Sequence, residues 1–123
     1  MLESTLLNVI ESLKIKHKLT SYQERKLTDY MRYWKEDDYI YPGVLKSKLN
    51  ISIKESYEIL EYIKSLGILE NVFEVYCKSC SKSKGLYLKS LTDMPEDLSC
   101  DFCNHEFNVL EDTIVLYKVK SNG

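Results

Sequence analysis

Apolar residues recur at three- and four-residue steps through the first half of the chain and gather in short β-branched and aromatic runs through the second. This pattern predicts helices followed by strands. Leu2, Leu6, Val9, Ile10 and Leu13 form one stripe over residues 2–16, the first helix. Lys14, Lys16, His17 and Lys18 follow as a basic end, favourable beside the negative pole of the helix dipole and read as a solvated terminus. Thr20 and Gln23 have the spacing of a capping box, so a second helix starts there and runs to residues 33–36, with Leu27, Tyr30, Met31 and Trp34 on its inner face. Glu36-Asp37-Asp38 ends it as a solvated loop, since no histidine or further carboxylate flanks these acids as a metal or catalytic partner would. Pro42 suits the first turn of a short helix whose inner face is Val44, Leu45 and Leu49. Asn50-Ile51 makes a turn, and Ser52 with Glu55 opens the next helix. On that helix Ile53, Ser56, Ile59, Leu60, Ile63 and Leu66 mark the buried side, and Gly67 is its left-handed stop.

From Ile68 onward the reading changes to strands. Residues 72–76 form one, residues 81–85 a turn, residues 86–91 a second strand and residues 93–97 another turn; residues 107–110 and 113–119 pair as an antiparallel hairpin around Glu111-Asp112. The expected class is α+β, with a helical domain over residues 1–71 and an antiparallel β domain over residues 72–123.

All four cysteines lie in the β half, as Cys77-Lys78-Ser79-Cys80 and Cys100-Asp101-Phe102-Cys103. Two thiolates at this spacing chelate one ion from a tight turn, and two such turns supply the four sulfurs of a tetrahedral zinc site. Cys77, Cys80, Cys100 and Cys103 are therefore the expected ligands of a structural Zn2+. Four sulfurs leave no open position for water or substrate, so the ion serves folding rather than catalysis. A thioredoxin-like redox pair fits less well, because it needs one C-x-x-C opening a helix after a strand. Iron in the same four thiolates stays open. His105, two residues past Cys103, is expected to be a bystander.

Composition narrows the function classes. Hydrophobic content of 44% supports a globular chain, and no apolar run approaches a membrane span, so no membrane partner is expected. Met1-Leu2-Glu3-Ser4 opens without the basic region of a signal peptide, and cysteines paired as C-x-x-C suit metal in a reducing compartment; the expected location is the cytoplasm. The chain lacks alanine and is rich in Lys, Ile, Leu, Ser and Tyr, a bias that matches an AT-rich bacterial or phage genome. With 17 basic and 19 acidic residues the net charge is −2, which lacks the electrostatic footprint of a strong DNA binder. No G-x-S-x-G, phosphate-cradling glycine loop or H-E-x-x-H is present, and the expectation is a protein that is not an enzyme.

Residues 40–69, through the Leu45/Leu49 pair, the Asn50-Ile51-Ser52 turn and the closing Leu66-Gly67-Ile68-Leu69, resemble the helix-turn-helix core of winged-helix domains. The two C-x-x-C knuckles alternating with strands look like a zinc ribbon. Together, over residues 40–119, the arrangement is similar to that of the large subunit of transcription factor TFIIE, its archaeal counterpart and small bacterial winged-helix/zinc-ribbon proteins. Ribbons of this family usually place glycine just after each knuckle; here those positions hold Ser81 and Asn104.

In winged helices the helix after the turn often enters the major groove. Its exposed positions would here be Ser52, Lys54, Glu55, Tyr57, Glu58 and Glu61, and the glutamates would be repelled by a polyanion. Lys54, Tyr57, Glu58 and Glu61 are thus expected to contact a partner, with protein favoured over DNA. In the ribbon, Lys78, Lys82, Lys84 and Lys89 form a basic stretch with two readings of equal weight: phosphate contacts, or compensation for the −2 charge of a four-thiolate zinc centre. The implied function is a non-enzymatic adaptor or accessory subunit of a nucleic-acid-handling assembly, in transcription, replication or a phage-related or mobile-element system. The alternative is a self-standing DNA-binding regulator. The first helix and the ten tyrosines would also suit a homodimer seam.

Overall fold

The computed structural model describes residues 1–95, 98–108 and 111–120. Described elements run α1 (Glu3–Lys16), α2 (Ser21–Arg32), β1 (Tyr39–Ile40), α3 (Pro42–Leu49), α4 (Ile53–Ser65), β2 (Leu69–Cys77), β3 (Lys82–Leu88) and β4 (Thr113–Val119). The strands form one sheet in the order β1-β4-β2-β3. No described helix is long and apolar enough to cross a membrane.

Local chemistry explains the helix boundaries. The Thr20 hydroxyl accepts the Gln23 N–H and the Gln23 amide oxygen accepts the Thr20 N–H, each at 3.0 Å, which completes the expected capping box of α2. This helix ends at Arg32, short of the expected 33–36. At α4 the Ser52 hydroxyl accepts the Glu55 N–H and donates to the Glu55 carboxylate, both at 3.1 Å, so the cap forms with a different second bond. Asn50 ends α3 in the left-handed region at φ 54°, and Gly67 follows α4 at φ 84°.

The chain divides into two compact units. The first comprises residues 1–70 and 117–123, the second residues 71–116. In the first, α1 to α4 enclose a core of Leu6, Leu13, Leu27, Met31, Leu45, Leu49, Leu60 and Ile63, each without exposed surface. Ser56 is also fully buried, and its hydroxyl donates to the Pro42 carbonyl at 2.7 Å, tying α4 to the start of α3. Ile53, Leu66 and Val44, expected on inner faces, are instead 45%, 42% and 42% exposed, because each sits where its helix end turns away from the core. Tyr117 and Val119 complete this core from β4. They pair with the segment before α3 through Ile40 opposite Tyr117 and through hydrogen bonds of 2.8 Å from Asp37 N to Val119 O and from Val119 N to Asp38 O. The acidic loop thus serves the sheet: Asp37 takes φ 73° and meets Lys118 Nζ at 3.3 Å. Residues 117–120, read from sequence as part of the β domain, pack with the helices.

In the second unit β2 and β3 pair antiparallel, Phe73 opposite Leu88 and Cys77 opposite Lys82. The expected turn at 81–85 shortens to residues 78–81, and β3 begins at Lys82. Gly85, at φ 76°, lies where the register shifts opposite Val75, so the Ser-Lys-Gly composition that suggested a turn makes a bulge. Residues 107 and 108 are not in a strand, and Ser99 instead forms an isolated bridge with Glu106. The expected hairpin arm at 107–110 thus lacks its described half, while Val109 and Leu110, like Glu96 and Asp97 of the expected turn at 93–97, lie outside the described residues.

Candidate metal centre and partner-facing surfaces

Both C-x-x-C segments fold into the same tight turn. Ser81 N donates to Cys77 O at 2.8 Å and Asn104 N to Cys100 O at 3.0 Å, and both Ser81 and Asn104 adopt φ 59°. Serine therefore takes the left-handed position that sequence reasoning found easier for asparagine. The turns bring the four cysteine sulfurs within 4.8 Å of one another, with Cys77 to Cys103 at 3.6 Å and Cys80 to Cys100 at 3.5 Å. Zn–S bonds of about 2.3 Å set the edges of a sulfur tetrahedron at about 3.8 Å, so four free thiols here match a single tetrahedral ion in chemistry and spacing.

The proton balance of the cluster points the same way. Burial first, and then the neighbouring sulfurs, push the Cys80 thiol up to about 12. At Cys100 burial also works upward, but N–H groups of Phe102 and Cys103 and the thiols of Cys80 and Cys77 outweigh it and bring it down to about 6. Cys103 is raised, the N–H it accepts from His105 being overcome by burial and the surrounding sulfurs. Cys100 is thus pulled toward the thiolate while Cys80 and Cys103 are held toward the thiol, as expected where adjacent sulfur anions repel. A metal ion bound here would supply a cation among the sulfurs and favour their deprotonated forms.

Asp112 braces the cluster from behind, a role sequence reading missed by treating it as a hairpin turn. It is 1% exposed. Its carboxylate accepts Lys78 N at 3.1 Å from the first knuckle and Asn108 N at 2.7 Å, and lies 3.0 Å from His105 Nε2 beyond the second. Its carbonyl accepts Tyr76 N at 2.9 Å. Burial opposes ionisation, yet the N–H groups of Asn108 and Lys78, together with His105, hold its carboxyl below the ordinary range. His105 is accordingly committed to Asp112. Glu74, also buried, accepts hydrogen bonds from Ser83 Oγ at 2.8 Å and Tyr87 OH at 3.2 Å across β2 and β3.

The basic stretch splits. Lys84 Nζ reaches Asp101 at 2.8 Å, and Lys82 Nζ lies 4.8 Å over the Phe102 ring, so both lysines are drawn to the second knuckle. Lys78 and Lys89 remain exposed. On α4, Lys54, Tyr57, Glu58 and Glu61 all line a cleft of about 720 Å3 with Lys16, His17, Tyr62 and Ser65. Glu61 accepts the Tyr117 hydroxyl and pairs with Lys64 at 2.9 Å, while Tyr57 rests against Tyr117 with centroids 6.3 Å apart. Two of the four expected contact residues therefore have work inside the fold as well. Compared with known proteins, the chain matches no described family, no curated protein and no solved structure.

Proposed function

We propose that Cys77, Cys80, Cys100 and Cys103 hold a structural Zn2+ and that the chain is a winged helix carrying a zinc ribbon. It acts as a non-enzymatic adaptor in a nucleic-acid-handling assembly and docks to a protein partner through α4. The four convergent sulfurs support the metal site, and the helix-turn-helix of α3 and α4, leading into a long strand, supports the winged helix. Zinc at such a site supplies folding energy and a fixed cross-link between two turns.

The observation that carries the docking reading is the composition of the α4 cleft. The position that would face phosphates in a DNA-reading helix presents Glu58 and Glu61 beside Tyr57 and Tyr62, with Lys16, His17 and Lys54 in the same lining. Carboxylates weaken contact with a polyanion, whereas tyrosines with mixed charge are the usual make-up of a protein interface. A photo-crosslinking residue placed at Glu58, irradiated in cells, tests it. The adduct is expected to be a protein, sensitive to protease and indifferent to nuclease. A nuclease-sensitive adduct at that position would replace this reading with a DNA-binding regulator.

A further inference from the structure

The helical unit contains a second cleft, of about 770 Å3, lined by α2, the segment after it, β1 and α3. Tyr22, Tyr30, Tyr33, Trp34 and Tyr39 converge on it. Several of these rings leave much of their surface in solvent: Tyr33 is 78% exposed and Tyr22 50%. Core packing accounts for Trp34 and for part of Tyr30, but not for the exposed rings of Tyr22 and Tyr33.

Cations lie on the ring faces. Lys26 Nζ is 5.4 Å and Arg25 Cζ 6.0 Å from the Tyr22 centroid, and Lys48 Nζ is 5.0 Å from that of Tyr30. Among the described residues none of the three forms an ion pair. Of the two acids in the cleft, Asp29 is paired with Arg32 at 3.5 Å, and Asp38 accepts the Lys35 N–H at 2.9 Å. Lys26 and Lys48, neither in an ion pair, thus line the cleft beside the single carboxylate of Asp38 that has no cation, in a chain whose net charge is −2. Trp34, which also lines the cleft, is buried in the core with its ring edge-on to Tyr30, centroids 5.6 Å apart.

We propose that this cleft binds single-stranded nucleic acid, with unpaired bases stacked on the exposed tyrosine rings and Lys26 and Lys48 set against the phosphates. Aromatic faces interleaved with cations are what a single strand requires, because every base offers a π face and every linkage a negative charge. A duplex hides its base faces and would use the lysines alone. An acidic peptide would satisfy the charge and leave the rings without a stacking partner. The site is separate from the α4 cleft and from the lysines of the ribbon, so it goes beyond the docking role, and each can fail without the other.

The test is fluorescence anisotropy with the full-length, metal-loaded protein and three labelled probes: an oligothymidine of about eight nucleotides, a duplex of the same length and an oligoglutamate. Binding to the single strand is expected, weakening between about 50 and 200 mM salt as counterion release requires. Tyr33→Ala should lower single-strand affinity by roughly tenfold or more, the effect of one lost stack, and Tyr33→Phe should restore it. Lys26→Glu with Lys48→Glu, both on exposed side chains, should abolish binding without unfolding the protein. Any of four results would overturn the proposal: no single-strand binding at about 50 mM salt; duplex or oligoglutamate bound as tightly as oligothymidine; equal loss in Tyr33→Phe and Tyr33→Ala; or binding that survives the cleft substitutions and disappears with Lys82→Glu and Lys84→Glu.

Discussion

Asp112 gathers the first knuckle at Lys78, His105 beyond the second and the backbone of Asn108 onto one buried carboxylate. Asp112→Asn keeps the shape but loses the charge and turns an amide toward donors, and is expected to destabilise residues 71–116 by about 2 kcal/mol, the size of a charge-assisted hydrogen bond. Its pH dependence follows from the lowered carboxyl. A group ionised more readily in the fold than in the open chain stabilises above its ordinary value, about 3.9, and that contribution is lost as pH falls through the lower folded value. Acid unfolding followed by near-ultraviolet circular dichroism should therefore be steeper for the native protein than for Asp112→Asn below about pH 4. No local pattern marks Asp112: its partner Lys78 lies 34 residues away, and an acid after Glu111 reads as a turn. The cysteines, by contrast, carry their chemistry in their spacing and were legible at once. So was the left-handed need after each knuckle, although Ser81 meets it without glycine.

At the scale of elements, helices were the legible part, because period and caps reinforce each other: the Thr20/Gln23 pair and Gly67 take their expected roles, and Leu45, Leu49, Ile59, Leu60 and Ile63 are buried as the 3.6-residue period requires. The strands were read less well. A bulge is built from the same small and polar residues as a turn, so Lys82 to Gly85 looked like a connection when they form the first half of a strand. The aromatic cleft was also hidden, since Tyr22, Tyr30 and Tyr33 run along α2 to its C-cap but are joined by Tyr39 and Lys48 from later segments only after folding. The joint between α3 and α4 is where the helical unit can be tested. Ser56→Ala removes the buried hydrogen bond to Pro42 and should cost about 1 kcal/mol, visible as a lower urea midpoint with an unchanged slope.

For the whole molecule, the helical unit has its own apolar core, whereas residues 71–116 bring together four thiols. One zinc per chain is expected by elemental analysis, and Cys77→Ser should lose it. Removing the metal with a chelator should abolish amide protection over residues 71–116 and leave α1 to α4 protected in hydrogen-exchange measurements; protection that persists in these residues without metal would refute a structural ion. The division of the chain also has a temporal side. The fully buried Tyr117 and Val119 belong with the helices yet follow the last cysteine in sequence. During synthesis, α1 to α4 leave the ribosome long before their core can close, and the two knuckles emerge in between. By the time the final core residues arrive, all four metal ligands are already outside, so capture of the ion can precede completion of the helical core.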